Sequence, residues 1–98
     1  MNAHDEIAEA FRLPATHPAL PGHFPGHPIV PGVVLLDRVA AALEKNGARL
    51  ARIGVVKFLT PLKPDEDATL AIARDGTRVS FRIERNGTPI LRGEGELA

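Results

Sequence analysis

His23 and Asp37 are the residues whose types and spacing suit chemistry: a histidine in a proline-rich loop and, fourteen positions later, a single acid in an apolar segment. Histidine changes charge near neutral pH and so moves protons readily. A carboxylate in an apolar stretch is costly to bury charged, and chemistry is one common reason for its presence. Between them, Gly32 follows Pro31 where a helix is expected to begin. The first N–H groups of a helix have no partner inside it and carry partial positive charge, which suits them to polarise a carbonyl oxygen. Plainer readings stand beside these. His23 can be satisfied by backbone carbonyls, Asp37 can face solvent paired with Arg38 or with Arg52 of a neighbouring strand, and Gly32 can simply let the chain turn into the helix.

The elements that must position these residues follow from pattern. Pro21, Pro25, Pro28 and Pro31 fix their own φ angles and push each preceding residue out of the helical region, so the loop over residues 15–31 is stiff. A helix over residues 33–43 follows, favoured by its Leu and Ala residues and ended by Asn46-Gly47. It carries Asp37 one turn in, among Leu35, Leu36, Val39 and Ala40. Upstream, residues 7–13 fit a strand, although residues 5–11 fit the start of a helical turn equally well. Downstream, residues 49–59 predict a strand, residues 60–67 a connection with Pro61 and Pro64, and residues 68–74, 77–85 and 88–97 three further strands. Asp75-Gly76 and Asn86-Gly87 are strong hairpin signals, each expected to form a type I′ turn with positive φ at both central residues. Val79, Phe81 and Ile83 share one face of this meander and Arg78, Ser80, Arg82 and Glu84 the other, so one face is buried and one wet. An apolar helix needs a covering surface, and this sheet supplies it. Pattern alone therefore gives an α+β layer of one helix on one antiparallel sheet, in a single domain over residues 1–98.

Residues 23–32, His-Phe-Pro-Gly-His-Pro-Ile-Val-Pro-Gly, resemble the hallmark loop of the β-hydroxyacyl-acyl-carrier-protein dehydratases, His-Phe-Pro-Gly-x-Pro-x-x-Pro-Gly. Asp37 stands fourteen positions after the His, where that family has Glu or Asp, and Lys57-Phe58 followed by Pro61, Pro64 and Asp65 is similar to its second signature. A ten-position motif with its acid in register is specific. The resemblance implies the hot-dog fold, an antiparallel β-sheet wrapped around one central α-helix. It implies dehydration of a 3-hydroxyacyl thioester on acyl carrier protein to the trans-2-enoyl thioester, in fatty acid or polyene-type lipid biosynthesis, with no cofactor and no metal. By the same resemblance His23 is the base at C2, the Gly32 N–H binds the thioester oxygen, and Asp37 protonates or orients the departing hydroxyl. Phe24, Pro31, Val33, Leu36 and Phe58 would contact substrate, with Phe81 as a further wall of the acyl tunnel. Desolvation beside that tunnel should raise the pKa of Asp37. A homodimer is implied, with the His of one chain facing the acid of the other; a trimer of dimers is an alternative assembly. Two positions depart from the family's habit: Ala41, where a Gln is common, and Arg38, where a small residue is common. Because only 22 residues precede His23, the N-terminal helix and one early strand of larger members are expected to be missing.

Composition excludes several classes. A chain of 98 residues buries only roughly 60 to 65% of its unfolded surface, so oligomerisation is an expected remedy. Zero formal net charge, no Trp or Tyr and only four Phe give no sign of nucleic-acid binding. The absence of Cys rules out disulfides, thiolate metal sites and a Cys nucleophile. No signal peptide and no apolar run of the ~20 residues a membrane span needs are present, so a soluble cytoplasmic protein is expected. His17, His23 and His27 invite a zinc reading, but the prolines between them hold the chain extended and no second cluster completes a ligand set. His27 falls at a variable motif position, and Gly22, Gly26 and Gly32 fit neither the dinucleotide fingerprint nor the P-loop. Nine Arg against three Lys, many of them on strands, read mostly as a solvated face balanced by Glu84, Glu94 and Glu96; a subset suits docking of an acidic carrier. Two rival functions stay open. A hot-dog thioesterase is disfavoured by the His-Phe-Pro-Gly loop, and a non-catalytic acyl-carrier-binding subunit is left open by Ala41 and Arg38.

Overall fold

The chain runs β1 (His4–Arg12), α1 (Gly32–Lys45), β2 (Leu50–Phe58), β3 (Asp67–Asp75), β4 (Arg78–Arg85) and β5 (Thr88–Leu97) in the computed structural model, which describes residues 4–16 and 29–98. The last three strands form the expected meander, and its two turns differ. Asn86 and Gly87 have φ of 49° and 80°, the type I′ pattern. At the other hairpin Asp75 pairs with Arg78, so the loop is Gly76-Thr77 rather than Asp75-Gly76, and only Gly76, at φ 62°, is positive. That is the type II′ pattern with Gly first, chosen because Asp75 completes the ladder instead of turning. β1 is a strand and not a helical turn: it pairs along its whole length with β3, from His4 opposite Asp75 to Arg12 opposite Asp67. That long-range ladder decides between two local options that sequence leaves balanced.

The five strands make one antiparallel sheet in the order β1-β3-β4-β5-β2. Its inner face carries Leu70, Ile72, Val79, Phe81, Ile83 and Leu91, all buried. Against them α1 buries Val34, Leu35, Val39, Ala42 and Leu43, a stripe at helical spacing. Each of the larger side chains, Ala42 excepted, contributes about 1.5–3 kcal/mol of transfer free energy, an upper bound because the unfolded chain is already partly collapsed.

Both ends of α1 have physical causes. Pro31, extended at φ -60° and ψ 143°, cannot be a helical interior residue, and its carbonyl accepts from the Val34 N–H at 3.0 Å. At the other end the Ala48 N–H reaches the Leu43 carbonyl at 2.9 Å and the Gly47 N–H the Glu44 carbonyl at 3.1 Å, the paired bonds of a Schellman motif. The start of the helix is pinned in space by the Val30 N–H on the Leu62 carbonyl, 2.8 Å, with both side chains buried.

Candidate functional site

Asp37 lies on α1 five positions after the helix start at Gly32, on the side turned away from the sheet, and it is exposed. The residues that share this side are Val33, Leu36, Ala40 and Ala41, with Glu44 a turn further on. Val33 is 65% exposed. An acid therefore sits within an apolar stripe that the described residues cover only in part, at Leu36 and Ala40, and leave open at Val33 and Ala41. The enclosed apolar surroundings expected for Asp37 are not built by the described residues.

The departure at position 38 has a clear geometry. The Arg38 guanidinium stacks over the Phe11 ring of β1, 5.1 Å from its centroid. One step along a helix is 100° of rotation, so Arg38 leaves the Asp37 side and ties α1 to the far edge of the sheet. Ala41, one turn beyond Asp37, leaves open space where a longer polar side chain would stand beside the acid.

Gly32 meets Phe58 directly. A Cβ built on Gly32 would lie 2.6 Å from Phe58 Cε1 and 2.7 Å from Cζ, so the ring packs on the bare backbone at the helix start. No larger residue fits there without moving the ring. Phe58 is itself 57% exposed, and with Val33 it flanks an open end of the helix. Among the described residues no group accepts from the Gly32 N–H, and no side chain caps the helix. Of the remaining sequence-derived residues, Pro31 and Leu36 are half-buried beside this end, whereas Phe81 is core, 3% exposed, and not a wall of it. His23 and Phe24, like His17 and His27, lie outside the described residues. Among the described residues no cluster of His, Asp or Glu is arranged to hold a metal ion.

Pattern reading missed the extent of the uncovered surface. Ile53, Val55 and Leu59 are exposed along with Phe58, all on β2 or just after it. A signal was present: Ile53, Val55, Val56 and Phe58 put apolar groups on both faces of the strand, as expected of one covered on both sides. For the Arg38–Phe11 stack the sequence offers no signal.

Comparisons with known proteins agree with this geometry. The model of the ApeI-like family, described as ApeI dehydratase, matches residues 1–94. A 3-hydroxyacyl-[acyl-carrier-protein] dehydratase FabZ from Ruminiclostridium cellulolyticum is 36% identical, the alignment covering 95% of this chain and 76% of the relative. FabZ from Haemophilus influenzae is 34% identical over 88% of this chain and 64% of its own length, and FabZ from Verminephrobacter eiseniae 34% over 62% and 49%. The chain thus spans from about half to three quarters of the curated relatives it matches. The dehydratase heterocomplex ApeI:P from Xenorhabdus doucetiae superposes with a TM-score of 0.85 at 28% identity, covering 95% of this chain and 87% of that one. The fluoroacetyl-CoA thioesterase FlK, at 15% identity and a TM-score of 0.65, shares the fold alone. One helix against a five-stranded antiparallel sheet is here the hot-dog fold, and the chain belongs to the ApeI-like dehydratase family.

Proposed function

We propose that this chain dehydrates a 3-hydroxyacyl thioester carried on acyl carrier protein, giving the trans-2-enoyl thioester, in a site completed by a second subunit. The observation that carries the reading is Asp37 within an exposed apolar helix stripe, next to a helix start at Gly32 on which Phe58 packs. The names of the curated relatives support the substrate class.

The chemistry follows from where charge develops. Taking a proton from C2 drives electron density onto the thioester oxygen, and the outward N–H of Gly32 supplies a hydrogen bond and the helix's partial positive charge at that oxygen. His23 takes the C2 proton. Asp37 gives a proton to the C3 hydroxyl, which leaves as water, and solvent returns the two side chains to their starting states. Val33, Leu36 and Phe58 provide apolar contact for the acyl chain.

The second subunit is argued from the open surface. Among the described residues a partly exposed apolar stripe and an edge strand with one unpaired side, β2, both suit a partner; that His23 of one copy faces Asp37 of the other is what the family resemblance implies for a C2 pair. A second copy of this chain is the simplest cover. The Xenorhabdus neighbour is named as a heterocomplex, so a different hot-dog chain is the other candidate.

The deciding experiment is mass spectrometry of 3-hydroxyacyl and trans-2-enoyl carrier-protein thioesters after incubation with the protein. Interconversion by loss or gain of water supports the proposal. Release of free acid would mean a thioesterase, and no change a non-catalytic subunit. His23→Ala and Asp37→Asn should each reduce turnover by at least about a hundredfold with the fold intact, the usual scale for a positioned acid or base. Asp37→Glu should keep part of the activity, because relatives use either acid.

A further inference from the structure

The outer face of the sheet, turned away from α1, holds a trough of about 530 Å³ that the proposed chemistry does not use. Its size falls in the range of small-molecule sites. Its shape comes from side-chain length. Ala8 pairs with Ala71 and Ala73 with Ser80 across the middle of the sheet, while long side chains from β4, β5 and β2 rise beside them. Alanine and serine are poor choices for an exposed strand face, where β-branched and aromatic residues hold a sheet better.

A second unfavourable feature lies at the same place. Arg82 is directly opposite Arg92, and Arg92 is directly opposite Lys57, so three cations stand in one row across three strands. Like charges directly opposite one another destabilise a sheet. Arg82 is partly relieved by Glu84, Nε to Oε1 2.9 Å, whereas none of the ion pairs among the described residues engages Arg92 or Lys57. Two local rules broken together, with open space between them, mark a functional place rather than a stable surface.

We propose that this trough binds a small organic anion, a carboxylate or phosphate on a short apolar body. The anionic group lies on the Arg82–Arg92–Lys57 row, and the body lies over Ala8, Ala71 and Ala73. Glu6 and Glu94, in the next row along the strands, repel a polyanionic partner, so the site fits one compact anion rather than an extended acidic surface. The inference stands apart from the dehydratase reading, because every residue it uses faces away from Gly32 and Asp37.

The test is NMR titration of the ¹⁵N-labelled protein with sodium hexanoate, hexyl phosphate, inorganic phosphate and, as a charge control, hexylamine. Saturable shifts from hexanoate or hexyl phosphate at residues 71–73, 80–82 and 92–94, with no response to hexylamine there, are expected; the tighter of the two anions identifies the headgroup. Arg92→Gln should weaken binding about tenfold, the scale of one charge-assisted hydrogen bond. Ala71→Ile, which fills the floor, should weaken it similarly, and dehydratase turnover should be unchanged in both. Absence of saturable shifts, shifts confined to α1, equal binding of hexylamine, inorganic phosphate binding as tightly as hexyl phosphate, or undiminished affinity in folded Arg92→Gln would each overturn the proposal.

Discussion

β4 and β2 belong to one sheet yet obey different rules of burial. β4 alternates strictly, with Val79, Phe81 and Ile83 buried and Arg78, Ser80 and Arg82 exposed. β2 has no such alternation, and most of its residues are exposed although Ile53, Val55 and Phe58 are as apolar as anything in β4. The difference lies in cover, not in sequence. β4 is flanked by strands on both edges and roofed by α1, whereas β2 is paired on one edge only among the described residues and packs Leu50 and Val56 on the core while leaving Ile53, Val55 and Phe58 exposed. A strand with a core composition that the described residues leave largely open suits the interface proposed above.

The largest effects should come from breaking the finished side. Ile83→Ala, at a fully buried position, should cost about 2–5 kcal/mol in urea unfolding, through lost burial and the cavity left behind. Ile53→Ala, 40% exposed, should cost less than about 1 kcal/mol in dilute protein, yet weaken self-association measured by sedimentation. Equal costs for the two at all concentrations would mean that β2 is covered within a single chain.

Next in size is the functional consequence of sharing a site. Mixing inactive His23→Ala and Asp37→Asn chains gives half mixed dimers on random exchange, each with one intact site, so activity should return to about a quarter of wild type. No return, where native mass spectrometry shows that the subunits have exchanged, would rule out a site composed of two copies of this chain.

A smaller effect separates packing from chemistry at the open end of α1. Gly32→Ala pushes a methyl group into the Phe58 ring, and because that ring is more than half exposed it can swing aside, at a stability cost of about 1 kcal/mol. Turnover should fall at least about tenfold, since the ring and the helix start are displaced together. A loss of stability without loss of turnover would remove Gly32 from the proposed site.

The smallest effect belongs to the opposite edge of the sheet. Arg12 Nε and Nη2 bind the two carboxylate oxygens of Asp67 at 2.9 and 3.2 Å. This hydrogen-bonded cation holds the Asp67 carboxyl below its ordinary range and raises Arg12. A depressed carboxyl pKa stabilises the fold above the unfolded value near 4 and loses that contribution as pH falls through the folded value. Both groups are exposed, so Asp67→Asn should lower Tm only slightly at pH 7, and the difference should vanish on acidification below pH ~4.

The sequence carried what is periodic or chemically singular. The alternation in residues 79–83, the helix around Asp37 and the Asn86-Gly87 turn were legible because each is a local pattern with one physical solution. The first strand was ambiguous because its identity rests on β3, more than fifty residues away. The placement of the Gly76-Thr77 loop depended on which residue completed the ladder, a choice local propensity does not make. At the candidate site, residue types and spacing were readable, but exposure was not: an apolar stripe around Asp37 looks the same in sequence whether its cover comes from the same chain or another.

The strand order also has a kinetic meaning. β3, β4 and β5 are joined by two-residue loops, so their pairing closes little chain, whereas β1 pairs with β3 across the loop, helix and second strand between them. High sequence separation makes such pairing slow, because loop entropy is lost before contacts repay it. The meander is therefore expected to form first and the two outer strands to join last. Amide exchange should show the reverse order in the native protein, with β1 and β2 opening at lower free energy than β4. Phe58, which packs on the proposed helix start, consequently belongs to a strand expected to be made last and lost first.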